Sequence, residues 1–367
     1  MSQIAIPYAQ IRGGSSKGLF FKAEDLPQDE TERNAILIAA MGSGARQIDG
    51  LGGADPLTSK VAIVSKSQRP GMDVDYLFAQ VVVGKDSVDT SPNCGNILSG
   101  VGYFAIETGM VKTTKSSTIV NVYMVNSGNE CELIVQTPDG KPEYSGDTKI
   151  DGVPGRSAPV ICNYSDLAGS ACGSLFPTGN PKDLVDGFDV TCIDNGMPVA
   201  VLSAASFGLT GDETPEELNN NPVLLEKIYN LRMKLGPMMN LGNVAQKAVP
   251  KMCLISTARQ GGALSTRTFI PDKCHAAIGV LGAVSVASAC ILPGTVCNSV
   301  ELNLPNTGNI YELSIEHPSG EFSVKLETAG NGNDLRIHKV GVIRTARLLS
   351  KGELFIPTEA LKQNTRA

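Results

Sequence analysis

The chain has 367 residues, 42% of them hydrophobic and 19% charged, with a formal net charge of −6. That is enough apolar material for a sizeable core in two domains or one large one, and too much for a disordered chain. The acidic balance, with no Lys/Arg cluster longer than two residues, excludes non-specific nucleic-acid binding, and no apolar run reaches the roughly 18 residues that a membrane span needs. The nearest to a span, 276–293, is broken by Gly279, Gly282, Ser285 and Ser288. No secretory signal opens the chain, so the expected location is cytoplasmic.

In chain order, IAIPYAQIRGGSSKGLFF predicts a strand, a glycine turn and a second strand. DLPQDETERNAILIAAMG predicts a helix, with capping-box spacing from Asp29 to Glu32. A glycine-rich connection, GARQIDGLGGADPLTSK, leads to strands at 60–66 and 74–83. SPNCGNILSGVGYFAIETGM reads as a turn into an apolar helix, and the stretch from TIVNVYMV to Lys149 as hairpin strands. In the second half a helix is expected over 214–236, with Thr214 as N-cap, Pro215 at the first helical position and Glu217 closing the box. Strands at 251–256 and 263–270, an apolar helix from Cys274, a hairpin around His317-Pro-Ser-Gly, and two closing strands in VGVIRTARLLSKGELFIP complete the pattern.

The halves can be superposed in sequence. Lys60-Val-Ala-Ile-Val-Ser matches Lys251-Met-Cys-Leu-Ile-Ser, and the segment opening at Cys94 matches the one opening at Cys274. The shared order of strand, strand, helix and hairpin predicts a duplicated α+β fold, with a site in the cleft between domains. The boundaries expected are 1–184, 185–350 and a C-terminal segment 351–367 returning to the first domain. Both apolar helices are apolar nearly all round, which marks them as buried.

None of the nine cysteines forms a C-x-x-C pair, and most lie in apolar runs, so they read as small buried hydrophobes of a reducing compartment. The three histidines, His275, His317 and His338, have no metal-ligand spacing, and no metal site is expected. Cys94 stands apart. Its polar, glycine-rich flanks oppose burial, and a thiol where a helix begins is favoured as thiolate. It can serve as a nucleophile or as a proton donor and acceptor; a buried structural thiol is the bland alternative. Lys60 heads an apolar strand; it is either a solvated strand-edge cation or, if desolvated, a base. Arg12-Gly-Gly-Ser-Ser-Lys-Gly offers hydroxyls, backbone N–H groups and cations to a carboxylate or phosphate, without the spacing of a nucleotide loop. Arg267 and His275 fall on the strand and helix start of the second half, and Arg344 and Arg347 read as surface or ion-pair residues.

Eight motifs together resemble the 4-oxalomesaconate tautomerase/isomerase group of the methylaconitate and methylitaconate isomerase family. They are IRGGSSKG (11–18), QIDGLGGADPLTSKVAI (47–63), DVDYLFAQV (73–81), NCGNILSGVGYFAIETG (93–109), IDGVPG (150–155), IDNGMP (193–198), HAAIGVLGAVSVA (275–287) and RTAR (344–347). The resemblance spans essentially the whole chain; Ser15 stands where that family often has Thr, which keeps the hydroxyl. It implies a diaminopimelate-epimerase-like fold of two similar domains, each a mostly antiparallel sheet wrapped around a central helix. It also implies a cofactor-independent shift of a double bond within a polycarboxylate, with Lys60 and Cys94 as the catalytic pair. The expected carboxylate ligands are Ser15, Ser16, Lys17, the N–H groups of Gly95 and Asn96, Arg267 and His275. The alternatives are an aconitate, 2-methylaconitate or methylitaconate isomerase, or a two-cysteine amino-acid racemase or epimerase that would also use Cys274. The partner expected is the small-molecule substrate, with no nucleic acid or membrane, and a homodimer, since closed two-fold assemblies dominate soluble oligomers.

Overall fold

The computed structural model of the protein describes residues 2–165, 167–245, 247–304 and 308–361. The chain divides into two units, Met1–Asn163 with Ile343–Ala367, and Tyr164–Val342. The end of the expected C-terminal segment, 362–367, lies outside the described residues.

The first unit contains β1 (Gln3–Gly13), β2 (Ser16–Lys22), α1 (Glu30–Met41), β3 (Lys60–Lys66), β4 (Val74–Val81), β5 (Val88–Asp89), α2 (Gly95–Glu107), β6 (Ser116–Met124), β7 (Asn129–Thr137) and β8 (Pro159–Ser165). Strands β1 and β2 pair antiparallel, β2 and β3 parallel, β3 and β4 antiparallel, β4 and β6 parallel, and β6 and β7 antiparallel. Helix α1 starts where the sequence placed it: the Asp29 side chain accepts from the Glu32 N–H at 3.0 Å.

Side-chain alternation gives the sheet two different faces. Leu19, Phe21, Val61, Ile63, Ala79 and Val81 pack with Ile36, Leu37, Ala40 and Met41 of α1. The alternate residues face α2, whose Ile97–Ile106 run is buried throughout. Two glycines let strands close on that helix. A Cβ on Gly100 would stand 2.8 Å from Phe20 and 2.9 Å from Ile11, and one on Gly102 would stand 2.7 Å from Val135.

The second unit contains β9 (Asp183–Val185), β10 (Phe188–Asp194), β11 (Pro198–Ser203), α3 (Pro215–Asn219), α4 (Pro222–Met238), β12 (Lys251–Ser256), β13 (Leu264–Phe269), α5 (Val280–Ile291), β14 (Ile310–His317), β15 (Gly320–Ala329) and the first part of β16 (Arg336–Pro357). Strands β10 to β15 pair in the same sequence of senses as their first-unit counterparts: antiparallel, parallel, antiparallel, parallel, antiparallel. In each unit the buried apolar helix falls between the fourth and fifth strands of that series. The internal repeat is therefore a repeat of topology. Helix α5 is clasped by the IDNGMP turn: the Asn195 N–H donates to Ser285 Oγ at 3.1 Å, Asn195 Nδ2 to Ser288 Oγ at 2.8 Å, and Ser285 Oγ to the Met197 carbonyl at 2.7 Å.

Three sequence expectations are corrected. The helix over 214–236 is two helices. The capping box at Thr214 forms, but Asn221 is extended (φ −104°, ψ 90°) ahead of Pro222, as a residue before proline prefers, and its side chain caps α4 instead. The second apolar helix begins at Val280, not Cys274. Cys274 bridges to Phe269, and the Asn219 side chain clamps it, accepting from its N–H at 2.7 Å and donating to its carbonyl at 3.1 Å. The two closing strands are one strand of 22 residues, β16, with a bulge against β1 at Gln10/Ile11. Arg344, read as a surface or ion-pair residue, is buried. The strands β8 to β11 were not anticipated as elements, and 141–147 carries none.

Candidate active site

Three chain segments of the first unit converge at the head of α2. The β1–β2 turn is the first. Gly14 has φ +53°, and its N–H donates to the Thr345 carbonyl at 2.8 Å. Arg12 staples the turn from beneath, donating to the Gly14 carbonyl (2.9 Å), the Thr345 carbonyl (3.1 Å), Thr345 Oγ1 (3.0 Å) and Ser157 Oγ (3.2 Å). Burial and the charge of Arg347 lower the Arg12 pKa from the ordinary guanidinium value. A Cβ on Gly13 would overlap the Asn96 carbonyl oxygen, and one on Gly14 the Asn96 side chain, so the turn lies directly on the helix.

We expect Gly13→Ala to wedge turn and helix apart. The stability loss should be about 1–3 kcal/mol, read from urea unfolding, because the atom that must yield is backbone. Activity should fall further than stability alone explains. Wild-type activity with an unchanged midpoint would remove the close approach from the description.

Cys94 is the N-cap of α2, half-buried, with extended backbone and no side-chain cap bond. Its carbonyl accepts from the Tyr76 hydroxyl at 3.3 Å. Tyr76 is fully buried, and burial and neighbouring Cys94 raise its pKa well above the ordinary phenol value, so it remains a neutral donor. Asn96 Nδ2 donates to Ser15 Oγ at 3.2 Å. Among the described residues, the buried atoms Ser16 Oγ, Asn93 Oδ1 and Asn96 Oδ1 have no hydrogen-bond partner. These are polar atoms for a ligand to satisfy, at the end of a helix whose first N–H groups are free of intrahelical bonds. The IDGVPG segment closes over the turn: a Cβ on Gly152 would stand 3.4 Å from that of Ser15.

Lys60 lies opposite Gly18 on β2 and Gln80 on β4, on the sheet face that carries Phe20, Phe78 and Tyr76 toward α2. It is 9% exposed, and its Nζ stands 5.1 Å from the Phe78 ring centroid and 2.7 Å from Gln80 Oε1. Lys60 and Cys94 thus share one side of one sheet, with Phe78 under the first and Tyr76 bonded to the second. Gly18 keeps this approach tight, since a Cβ there would stand 2.6 Å from the Lys60 carbonyl oxygen. The loop before Lys60 folds around Gln47, which is 2% exposed and whose Oε1 accepts from the Ala54 N–H at 2.8 Å and Ser59 Oγ at 2.7 Å.

Of the expected residues, the fold brings together Ser15, Ser16, Lys60, Cys94, Gly95 and Asn96. Lys17 alternates with Ser16 and Gly18, which turns its side chain to the other face. Arg267 shares a face with Leu254 and Phe269 in the second unit. Its guanidinium is engaged there by the Glu213 carbonyl at 2.6 Å and the Thr266 carbonyl at 3.0 Å. His275 is exposed in the loop ahead of α5, its N–H on the Thr268 carbonyl at 2.9 Å, and partial desolvation and Lys251 lower its pKa. Burial pushes the Cys274 thiol up to about 11, against a smaller opposing effect of Arg267. Cys274 therefore does not reproduce the helix-head setting of Cys94. Among the described residues no three His, Cys, Asp or Glu side chains gather as a metal ion requires, and no helix is long and apolar enough to cross a membrane. Gln80 and Gln47 escaped the sequence reading; an amide in a strand or loop carries no signal until register shows what it faces.

The chain is 52% identical over 357 residues to a 4-oxalomesaconate tautomerase of Pseudomonas putida, covering 97% of each. A crystal structure of methylitaconate-delta-isomerase, 33% identical, superposes with a TM-score of 0.86 over 98% of both chains. A hydroxyproline epimerase from Agrobacterium vitis, 12% identical, matches with a TM-score of 0.53 over 96% of this chain and 93% of that one, which shows the shared epimerase-like fold alone. The family model described as PrpF protein matches residues 3–357. By that match and these relatives, the chain belongs to the PrpF protein family, has the diaminopimelate-epimerase-like fold, and is an isomerase.

Proposed function

We propose that this isomerase shifts a double bond in a tricarboxylic keto acid such as 4-oxalomesaconate, without a cofactor, by proton transfer between substrate, Lys60 and Cys94. The observation that carries the reading is the pairing of a sequestered amine at a strand head with a thiol at a helix head on one side of the same sheet. An allylic proton beside a carboxylate or keto group passes to the Lys60 amine. The electron pair delocalises over the dienolate, and the Cys94 thiol returns a proton two carbons away. The enolate and carboxylate oxygens meet the N–H groups of Gly95 and Asn96 and the hydroxyls of Ser15 and Ser16, aimed before the charge develops. Lys17 and Arg267 are left out of this set for the reasons of orientation given above.

The substrate follows the higher identity to the oxalomesaconate enzyme than to the methylitaconate one. The test is incubation of the protein with oxalomesaconate, aconitate, 2-methylaconitate and methylitaconate in D₂O, following vinyl and allylic protons by NMR. Deuterium should enter oxalomesaconate fastest. Exchange with aconitate or methylaconitate alone would overturn the substrate.

A further inference from the structure

The structure assigns Gln80 as the positioning residue of Lys60: a neutral acceptor, locked in one amide orientation, that holds the Lys60 Nζ in place. The inference rests on the reading of Lys60 as the base. Gln80 sits directly across the β3–β4 ladder from Lys60, and its Oε1 accepts from Nζ at 2.7 Å. Its Nε2, with two N–H donors and one of them shared, serves three carbonyls, those of Ser59 at 2.9 Å, Pro56 at 3.2 Å and Val81 at 3.3 Å. Carbonyls only accept, so the NH₂ end is fixed toward them and, among the described residues, the partner of the oxygen is Lys60. Ser59 is itself held, its hydroxyl donating to Gln47 Oε1 and to the Asp55 carbonyl at 2.9 Å. The support beneath the amine is therefore rigid two residues deep.

The neutrality of the acceptor matters as much as its position. An amide oxygen can accept from an ammonium or from an amine N–H, so the contact can be kept through the proton cycle of a base, and it brings no negative charge. A carboxylate at the same distance would favour the charged form and leave less free amine to accept a proton at neutral pH. The titratable groups on the elements around Lys60 are Lys17 and Lys22 on β2, Asp55 before the strand, Lys66 on β3, Asp75 and Tyr76 on β4, Asp89 on β5, Cys94 at the head of α2, and Tyr103 and Glu107 on it. Among the described residues none of them is ion-paired with Lys60. Asp55 Oδ1 accepts from the Leu57 N–H at 2.7 Å and Asp89 Oδ1 from the Ser91 N–H at 2.8 Å. Gln80 is thus the acceptor of the Lys60 side chain, and it carries no charge.

The experiment uses Gln80→Met and Gln80→Glu in the full chain, with kcat, KM, kcat against pH, and thermal melting measured for each. Gln80→Met keeps the volume and loses the acceptor; kcat should fall about ten- to a hundred-fold, the range for one hydrogen bond to a charged group, with KM within about three-fold and an unshifted melt. Gln80→Glu should displace the rise of kcat to higher pH, a change that a merely structural residue would not produce. Adding Gln80→Met to Lys60→Met should cost nothing more, because Gln80 acts only through Lys60. If Lys60→Met abolishes exchange while both Gln80 variants keep wild-type kcat and pH dependence, this inference fails and the Lys60 reading stands. If Lys60→Met keeps exchange, the Lys60 reading fails and this inference goes with it.

Discussion

Lys60→Met is expected to abolish turnover, with a loss of at least about 10²–10⁴-fold, the usual contribution of a general base. It should also abolish wash-out of the substrate's allylic hydrogen into D₂O. Methionine matches the length of the aliphatic stem, so packing over Phe78 is kept while the amine is lost. The melting temperature should change little. Exchange that survives in Lys60→Met at the wild-type rate would move the base elsewhere. The measurement is proton NMR of the substrate in D₂O, run beside a coupled turnover assay.

Cys94→Ser is expected to lower turnover by a comparable factor, because a serine hydroxyl is a far weaker acid than a thiol of pKa ~8.5. Its helix should stay intact. The Cys94 thiol makes no cap bond, and serine is itself a favoured N-cap, so stability should hold or rise slightly. The informative readout is the difference between the two variants. With Lys60 still present, Cys94→Ser should allow slow exchange at the carbon that Lys60 deprotonates, though little product forms. The reverse pattern, exchange kept in Lys60→Met and lost in Cys94→Ser, would exchange the two roles. Loss in both would show that the groups act as one unit, as coupled acid–base pairs do.

The two experiments read different ends of one allyl system only if each group reaches one end. The structure supports that arrangement through β4, where Phe78 lies under the amine and Tyr76 two residues away bonds the Cys94 carbonyl. A strand repeat of two residues carries both contacts to the same face. On the proposed mechanism the substrate lies along this line, with its carboxylates toward the helix head and the β1–β2 turn.

What the amino-acid sequence determined by itself is the local and periodic part. The Asp29 and Thr214 caps, the two helices apolar on every side and the duplicated order of elements follow from side-chain chemistry acting over a few residues, and each is seen in the fold. The long motifs were enough to name the family, because they mark the turn, strand head and helix head that meet at Lys60 and Cys94. Orientation was decided only by tertiary structure. Whether Lys17 or Ser16 faces α2, and whether Arg267 is free or tied to the Glu213 carbonyl, depends on pairing register, and a shift of one residue reverses every face. The Cys274 segment misled for a related reason. Its composition suits a helix, but the Asn219 side chain, 55 residues away in sequence, holds the Cys274 N–H and takes the carbonyl that a helix starting there would use. Gln80 is the clearest case: nothing in DVDYLFAQV distinguishes it from any polar strand residue, and only the β3–β4 register places its amide oxygen on the Lys60 amine.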